Sequence, residues 1–150
     1  MIRDEIKAAL VSAMKSGDKP RVGTIRLIQS ALKNRDIELR GKEPGDDDVL
    51  VTDVLQKMIK QRRESIDMYR KGGREELADA EAAEIAVIEG FLPAQMSDDE
   101  LGAAIDAIVA ETGAASIKDM GKVMAALKER HAGQIDMAKA GAMVRGKLGA

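Results

Sequence analysis

Apolar residues recur at helical spacing almost from the first residue of this chain. Ile2, Ile6, Leu10 and Met14 fall on one stripe, which predicts a first helix from about Arg3 to Lys15, stopped by Gly17. Asp18 or Lys19 then leads into Pro20, a residue suited to the first turn of a helix. Ile25, Ile28, Leu32 and Leu39 mark a second helix that reaches about Arg40. The stretch from Gly41 to Gly45, with Pro44 inside it, reads as a loop. Asp46, Asp47 and Asp48 open a third helix. It runs to about Lys71 on the stripe Val51, Val54, Leu55, Met58, Ile66 and Tyr69. Gly72-Gly73 reverses the chain, and a fourth helix from about Arg74 to Gly90 carries Leu77, Ala80, Ile88 and Phe91 inward.

Two charged residues interrupt these stripes. Arg62 stands in the middle of the third and Glu84 in the middle of the fourth, about equally far from the Gly-Gly turn. An antiparallel hairpin brings them level. The pattern therefore predicts a partly buried ion pair, Arg62 with Glu84, that fixes the helix register. Its bland alternative is that one or both side chains snorkel to water.

Pro93 forbids further helix after Phe91-Leu92, and a domain boundary is placed at 93–96. Ser97-Asp98-Asp99-Glu100 is a capping box. Three short helices follow, about 98–111, 117–130 and 136–148, with Ser116/Asp119 as a second box, Asp136 as a cap and Gly113 and Gly133 at the turns. Their inner positions are Leu101, Ile105 and Ile108, then Ile117, Met120, Met124 and Leu127, then Met137, Ala140, Val144 and Leu148. No stretch alternates β-branched and aromatic residues, so strands are not expected. The fold class is all-α: an N-terminal helical domain, 1–93, with a long antiparallel hairpin, and a small three-helix domain, 97–150.

Composition narrows the chemistry. With Tyr69 and Phe91 the only aromatics, the core must be aliphatic. The absence of cysteine excludes disulfides, thiolate nucleophiles and Cys-based metal sites. The single histidine, His131, falls in a polar turn, so histidine triads and multi-His zinc sites have no members. The aspartates 46–48 are better explained by a helix start than by a cation. Ser12, Ser16 and Ser30 have lysines about them, but none stands in the Gly/Ser-rich turn that a Ser–Lys nucleophile uses. No phosphate-cradling glycine motif is present. No catalytic residue, cofactor or metal is assigned. No apolar run has the length of a membrane span, and Met1-Ile2-Arg3-Asp4-Glu5 turns acidic too early for a secretory signal, so a cytoplasmic location is expected, without membrane contact.

The net charge of −2 hides a segregation. Residues 57–74 hold seven bases and 75–89 six acids without a base, while 98–111 hold five acids and 118–150 hold seven bases against three acids. Complementing helix dipoles explains much of this. The remainder marks a candidate RNA-binding set: Lys118, Lys122, Lys128, Arg130, Lys139, Arg145 and Lys147. Gly121 and Gly141 sit inside helices, where each costs about 1 kcal/mol relative to alanine. Close helix packing explains them, or the approach of an RNA backbone or a partner.

The segment Ile117-Lys118-Asp119-Met120-Gly121-Lys122-Val123-Met124, followed by a basic helix end, Gly133, Asp136 and a final helix ending at Leu148, resembles the tail domain of the B subunit of tRNA-dependent amidotransferases. The chain as a whole resembles the YqeY family, through Gly17-Asp18-Lys19 with Arg21, Arg62 to Tyr69, Gly73-Arg74 with Leu77, Glu84-Ile85 and Phe91-Leu92-Pro93. In the amidotransferase that tail contacts the body of the tRNA, while glutamine hydrolysis and amide transfer lie in other domains and another subunit. The resemblance therefore implies a tRNA-binding or accessory protein acting through its C-terminal domain, without amidating anything itself. The family's grouping with carbon–nitrogen ligases that use glutamine as amide donor is the corresponding enzymatic expectation, by resemblance alone. A protein–protein adaptor, with a partner docked on the N-terminal helices, is the alternative from a different class. No DNA is expected.

Overall fold

The structure, a computed structural model, describes residues 1–43, 45–131 and 133–149, so Pro44 of the expected loop lies outside the described residues. Those described form seven α-helices and one 3₁₀ turn, with no strand among them. By its internal contacts the chain divides into two compact units, Met1–Leu92 and Pro93–Ala150.

In the first unit α1 (Ile2–Ser16) ends where Gly17 turns left-handed at φ 72°, which lets the Asp18 amide donate back to the Ala13 carbonyl at 3.0 Å. Asp18 then caps α2 (Lys19–Glu38) by accepting the Arg21 amide. α3 (Asp47–Lys71) is capped by Asp46, which accepts from Val49 N. Gly73, at φ 74°, supplies the positive torsion that returns the chain as α4 (Glu75–Glu89). α3 and α4 form the closest helix pair of the unit. The core gathers Ile2, Ile6, Ile25, Ile28, Leu32, Val51, Leu55, Met58, Ile59, Ile88 and Phe91. Arg21 lies over the Phe91 ring, 6.0 Å from its centroid.

The inner faces differ from the expected stripes at specific places. Met14 is exposed and Ala13 is buried in its stead. Steps of four residues gain about 40° each on a helix of 3.6 residues per turn, so the fourth member of the first stripe has swung out. On α4, Leu77 and Ala80 are exposed and Ala78 is wholly buried. The small Ala78 side chain suits the close contact with α3, and Ala80, about 200° round the helix, must then face outward. Tyr69 and Leu39 are half-buried rather than core.

The second unit is built from α5 (Asp98–Thr112), the 3₁₀ turn Ile117–Asp119, α6 (Met120–Arg130) and α7 (Met137–Leu148). Ser97 caps α5, its Oγ accepting from Glu100 N at 3.1 Å and donating to the Glu100 carboxylate at 3.0 Å. Asp136 caps α7 by accepting from Ala138 and Lys139 N. Leu101, Ile105, Ile108, Val123, Leu127, Ile135, Ala140, Val144 and Leu148 make a separate core. Ile117, expected inside, is exposed, and the turn that carries it is 3₁₀ rather than α-helical. The Ser116 hydroxyl makes no cap hydrogen bond; Asp119 instead accepts from Ala115 N at 3.0 Å.

Candidate nucleic-acid interface

The seven bases proposed from sequence are not equally available. Three are held by α5: Arg130 Nη2 meets Glu111 Oε2 at 2.6 Å, Lys147 Nζ donates to Asp106 Oδ1 at 2.7 Å, and Lys139 pairs with Asp98. Acids from α5 thus face bases from α6 and α7, and the charge blocks of this half of the chain are interhelical pairs. Arg130 is held above its ordinary pKa, first by its hydrogen bond to Glu111.

Four bases remain without a salt bridge among the described residues: Lys118, Lys122, Lys128 and Arg145. Gly141 of α7 lies against Met120 and Met124, and Gly149, one residue past α7, lies beside Ile117. α7 therefore runs antiparallel to α6, and Arg145, midway between Gly141 and Gly149 on one i,i+4 row, is level with the start of α6. Lys118 in the 3₁₀ turn and Lys122 in the first turn of α6 lie at that same end. Lys128 sits six residues further along, about 9 Å. Between Lys118 and Lys122, Asp119 is the nearest acid. Its pKa is lowered, chiefly by the hydrogen bond from the Ala115 amide and also by Lys122.

The two helical glycines separate here. Gly141 is buried, and a Cβ there would touch the Met120 and Met124 methyls at 3.6 and 3.8 Å, so packing accounts for it. Gly121 is exposed and a Cβ there would meet nothing within 4 Å. Packing within this unit does not require it.

In the first unit the charge blocks also meet across helices. Arg62 Nε donates to Glu84 Oε2 at 2.8 Å and stands 3.8 Å from Glu81, while its Nη1 donates to the Met58 carbonyl at 3.3 Å. Arg63 reaches Glu89 and Arg70 reaches Glu75, each at 3.7 Å. Arginines in the C-terminal half of α3 thus pair with acids of α4. Glu81, within reach of Arg62, escaped sequence reasoning because only the stripe-breaking Glu84 stood out.

Arg3 is a second centre that pattern reading missed. Its guanidinium makes paired hydrogen bonds to both Asp36 and Asp47, at 3.0–3.2 Å, and the Ile2 amide donates to Asp48 at 3.0 Å. Of the three aspartates only Asp46 caps α3; the other two hold α1. Arg3 is driven well above its usual pKa by Asp47 and then Asp36, and Asp47 below its own by the hydrogen bond from Arg3. Arg3, Asp47, Asp119 and Arg130 are each displaced toward their charged forms, the opposite of what an acid–base catalyst needs.

An open groove of about 460 Å³ lies between α2 and α3, floored by Ala31, Val54 and Met58 and walled by Asn34, Arg35, Asp53 and Lys57. A smaller one of about 200 Å³ lies between α1 and α2 beside Arg3 and Asp36. Among the described residues no three His, Asp or Glu side chains gather to hold a metal ion, and no helix is long and apolar enough to cross a membrane. His131 closes α6, its amide donating to the Leu127 carbonyl, and the Ser16 hydroxyl donates to the Ala13 carbonyl.

These features define an all-helical protein of two small units whose opposite charges mostly pair its own helices and leave a few bases free at one helix start. The chain belongs to the YqeY family: the family model described as Yqey-like protein matches residues 3–148. It is 35% identical over 108 residues to altered inheritance of mitochondria protein 41, mitochondrial, of Eremothecium gossypii, a match covering 71% of this chain and 58% of that protein. The protein of the same name from Kluyveromyces lactis is 37% identical over 86 residues, 57% of this chain and 45% of the relative. An uncharacterized protein of Schizosaccharomyces pombe is 31% identical over 93 residues, 62% of this chain and 73% of the relative. The chain spans about half the length of the first two relatives. The cytoplasmic location expected from sequence is corrected by these matches, since the relatives are named as mitochondrial proteins.

Proposed function

We propose that this protein is a non-catalytic RNA-binding accessory factor that meets a folded RNA, of which tRNA is the class suggested by the resemblance, through the start of α6. The observation that carries this reading is the set Lys118, Lys122 and Arg145, level with one another, free of salt bridges among the described residues and beside the open Gly121. Phosphate attracts such a set electrostatically, and recognition of RNA by shape does not need the aromatics this chain lacks. Arg130, Lys139 and Lys147, engaged by α5, contribute less than their charge suggests.

Three phosphate contacts give a salt slope of about −2 to −3, so a fourfold rise in salt weakens binding about 20- to 40-fold. A mobility-shift titration of labelled tRNA against the protein tests this. Lys118→Glu with Lys122→Glu should abolish the shift, whereas Lys139→Gln should leave it nearly unchanged. Equal losses from both variants, or no shift at all, would count against the interface.

The groove between α2 and α3 favours a second reading, an adaptor that docks a protein partner on the first unit. A partner lost on Val54→Arg and kept by the Lys118/Lys122 reversal would support it over the RNA reading. Carbon–nitrogen ligase activity is not proposed, because it rests on the resemblance alone.

A further inference from the structure

The apolar core of the first unit stops partway along the α3–α4 hairpin. On α3 its last members are Met58 and Ile59; on α4 they are Ile88, with Ile85 and Val87 packed partly against it. Ile66 and Ala78, though buried, belong to no core cluster, and neither Tyr69 nor Leu77 packs on it. Met68 is 74% exposed and Leu77 39%. At the point where the core ends stands the Arg62 guanidinium, 14% exposed, bound to Glu84 and near Glu81. Beyond it the helices hold one another through Ile66, Ala78 and the looser Arg63–Glu89 and Arg70–Glu75 pairs.

We infer that the distal hairpin, from about residue 63 to residue 83, opens as a unit of its own while the core stays folded, and that the Arg62–Glu84 pair is the clasp setting how often it does so. Local opening follows the burial an element shares with the rest of the fold, and this segment shares little. Opening turns the faces of Ile66, Tyr69, Leu77 and Ala78 outward, an apolar surface the closed hairpin hides in part. The clasp is a charge-assisted hydrogen bond, so losing it shifts the opening equilibrium about 10- to 100-fold. The hairpin opens first, because Arg62 and Glu84 lie at the edge of the core rather than within it.

Amide hydrogen exchange of the full chain, read residue by residue, tests the inference. In the unaltered protein, helical amides 66–70 and 78–82 should share one rate, at least tenfold faster than amides 54–58 and 25–32. Glu84→Gln should speed the first group about 10-fold or more, while amides 54–58 and 25–32, which open with the whole unit, quicken by no more than the loss of overall stability and remain the slower class. Arg62→Leu with Glu84→Leu, which replaces the pair by apolar contact, should slow the first group. Equal protection across the whole of α3, or amides 66–70 and 78–82 no faster in the Glu84→Gln protein than in the parent, would overturn the inference.

Discussion

Arg62 and Glu84 are the two positions where a charge occupies a place the helical pattern reserves for an apolar side chain, and the structure puts 2.8 Å between them. Removing one leaves the other without its partner. With Glu84 a third exposed, water compensates part of the loss, so Arg62→Met and Glu84→Leu should each cost about 1–3 kcal/mol in urea unfolding, below the cost for a fully buried pair. Arg62→Met should be the worse, because it also leaves Glu81 facing Glu84. Gly121 offers a contrasting case. A methyl group there meets nothing, so Gly121→Ala should stabilise the protein by about 0.5–1 kcal/mol. If RNA approaches this helix start, the same change should weaken tRNA binding while raising the melting temperature. Arg62 and Glu84 were legible because each broke a stripe, whereas the openness around Gly121 depended on what lies across from it in space.

Among the helices, the N-termini of α1 and α3 and the end of α2 are drawn together on Arg3. Asp47 has a lowered pKa in the folded protein because Arg3 binds its ionised form, so the folded state takes up that proton less readily than the unfolded chain. Its contribution is therefore present above the unfolded value of about 3.9 and fades as pH falls through the lower folded value. Asp47→Asn should be less stable than the parent at pH 7, and the gap should close below about pH 4. Unfolding curves for both proteins across that range check the sign. The helices themselves could be read one by one from apolar period, caps and glycines, with ends correct to a residue or two except at α6, whose expected first three residues form a 3₁₀ turn. Their exact facing was harder. Met14 and Ala80 face outward by shifts of phase that only neighbouring helices resolve, Ile117 falls in a 3₁₀ turn, and the Arg3 contacts span 33 and 44 residues of chain, beyond any local pattern.

For the molecule as a whole, two separate cores within 150 residues lead to a definite expectation. The second, in the unit of residues 93–150, is small enough to be marginal by itself. Leu127→Ala and Leu55→Ala remove wholly buried side chains from different cores, each at about 2–5 kcal/mol. In calorimetry the first should lower an early transition and the second a later one; a single transition lowered alike by both would show one cooperative unit.

Residue order alone was enough to specify an all-helical chain, because helical period, capping side chains and turn glycines act over a few residues and need no knowledge of the rest. It also specified that opposite charges lie in separate blocks. Where those blocks meet depended on the fold: Glu111, Asp106 and Asp98 reach Arg130, Lys147 and Lys139 only once α5 packs beside α6 and α7. A charge's availability to a ligand depends on its nearest opposite charge, and that neighbour is chosen by packing over distances the local pattern does not register.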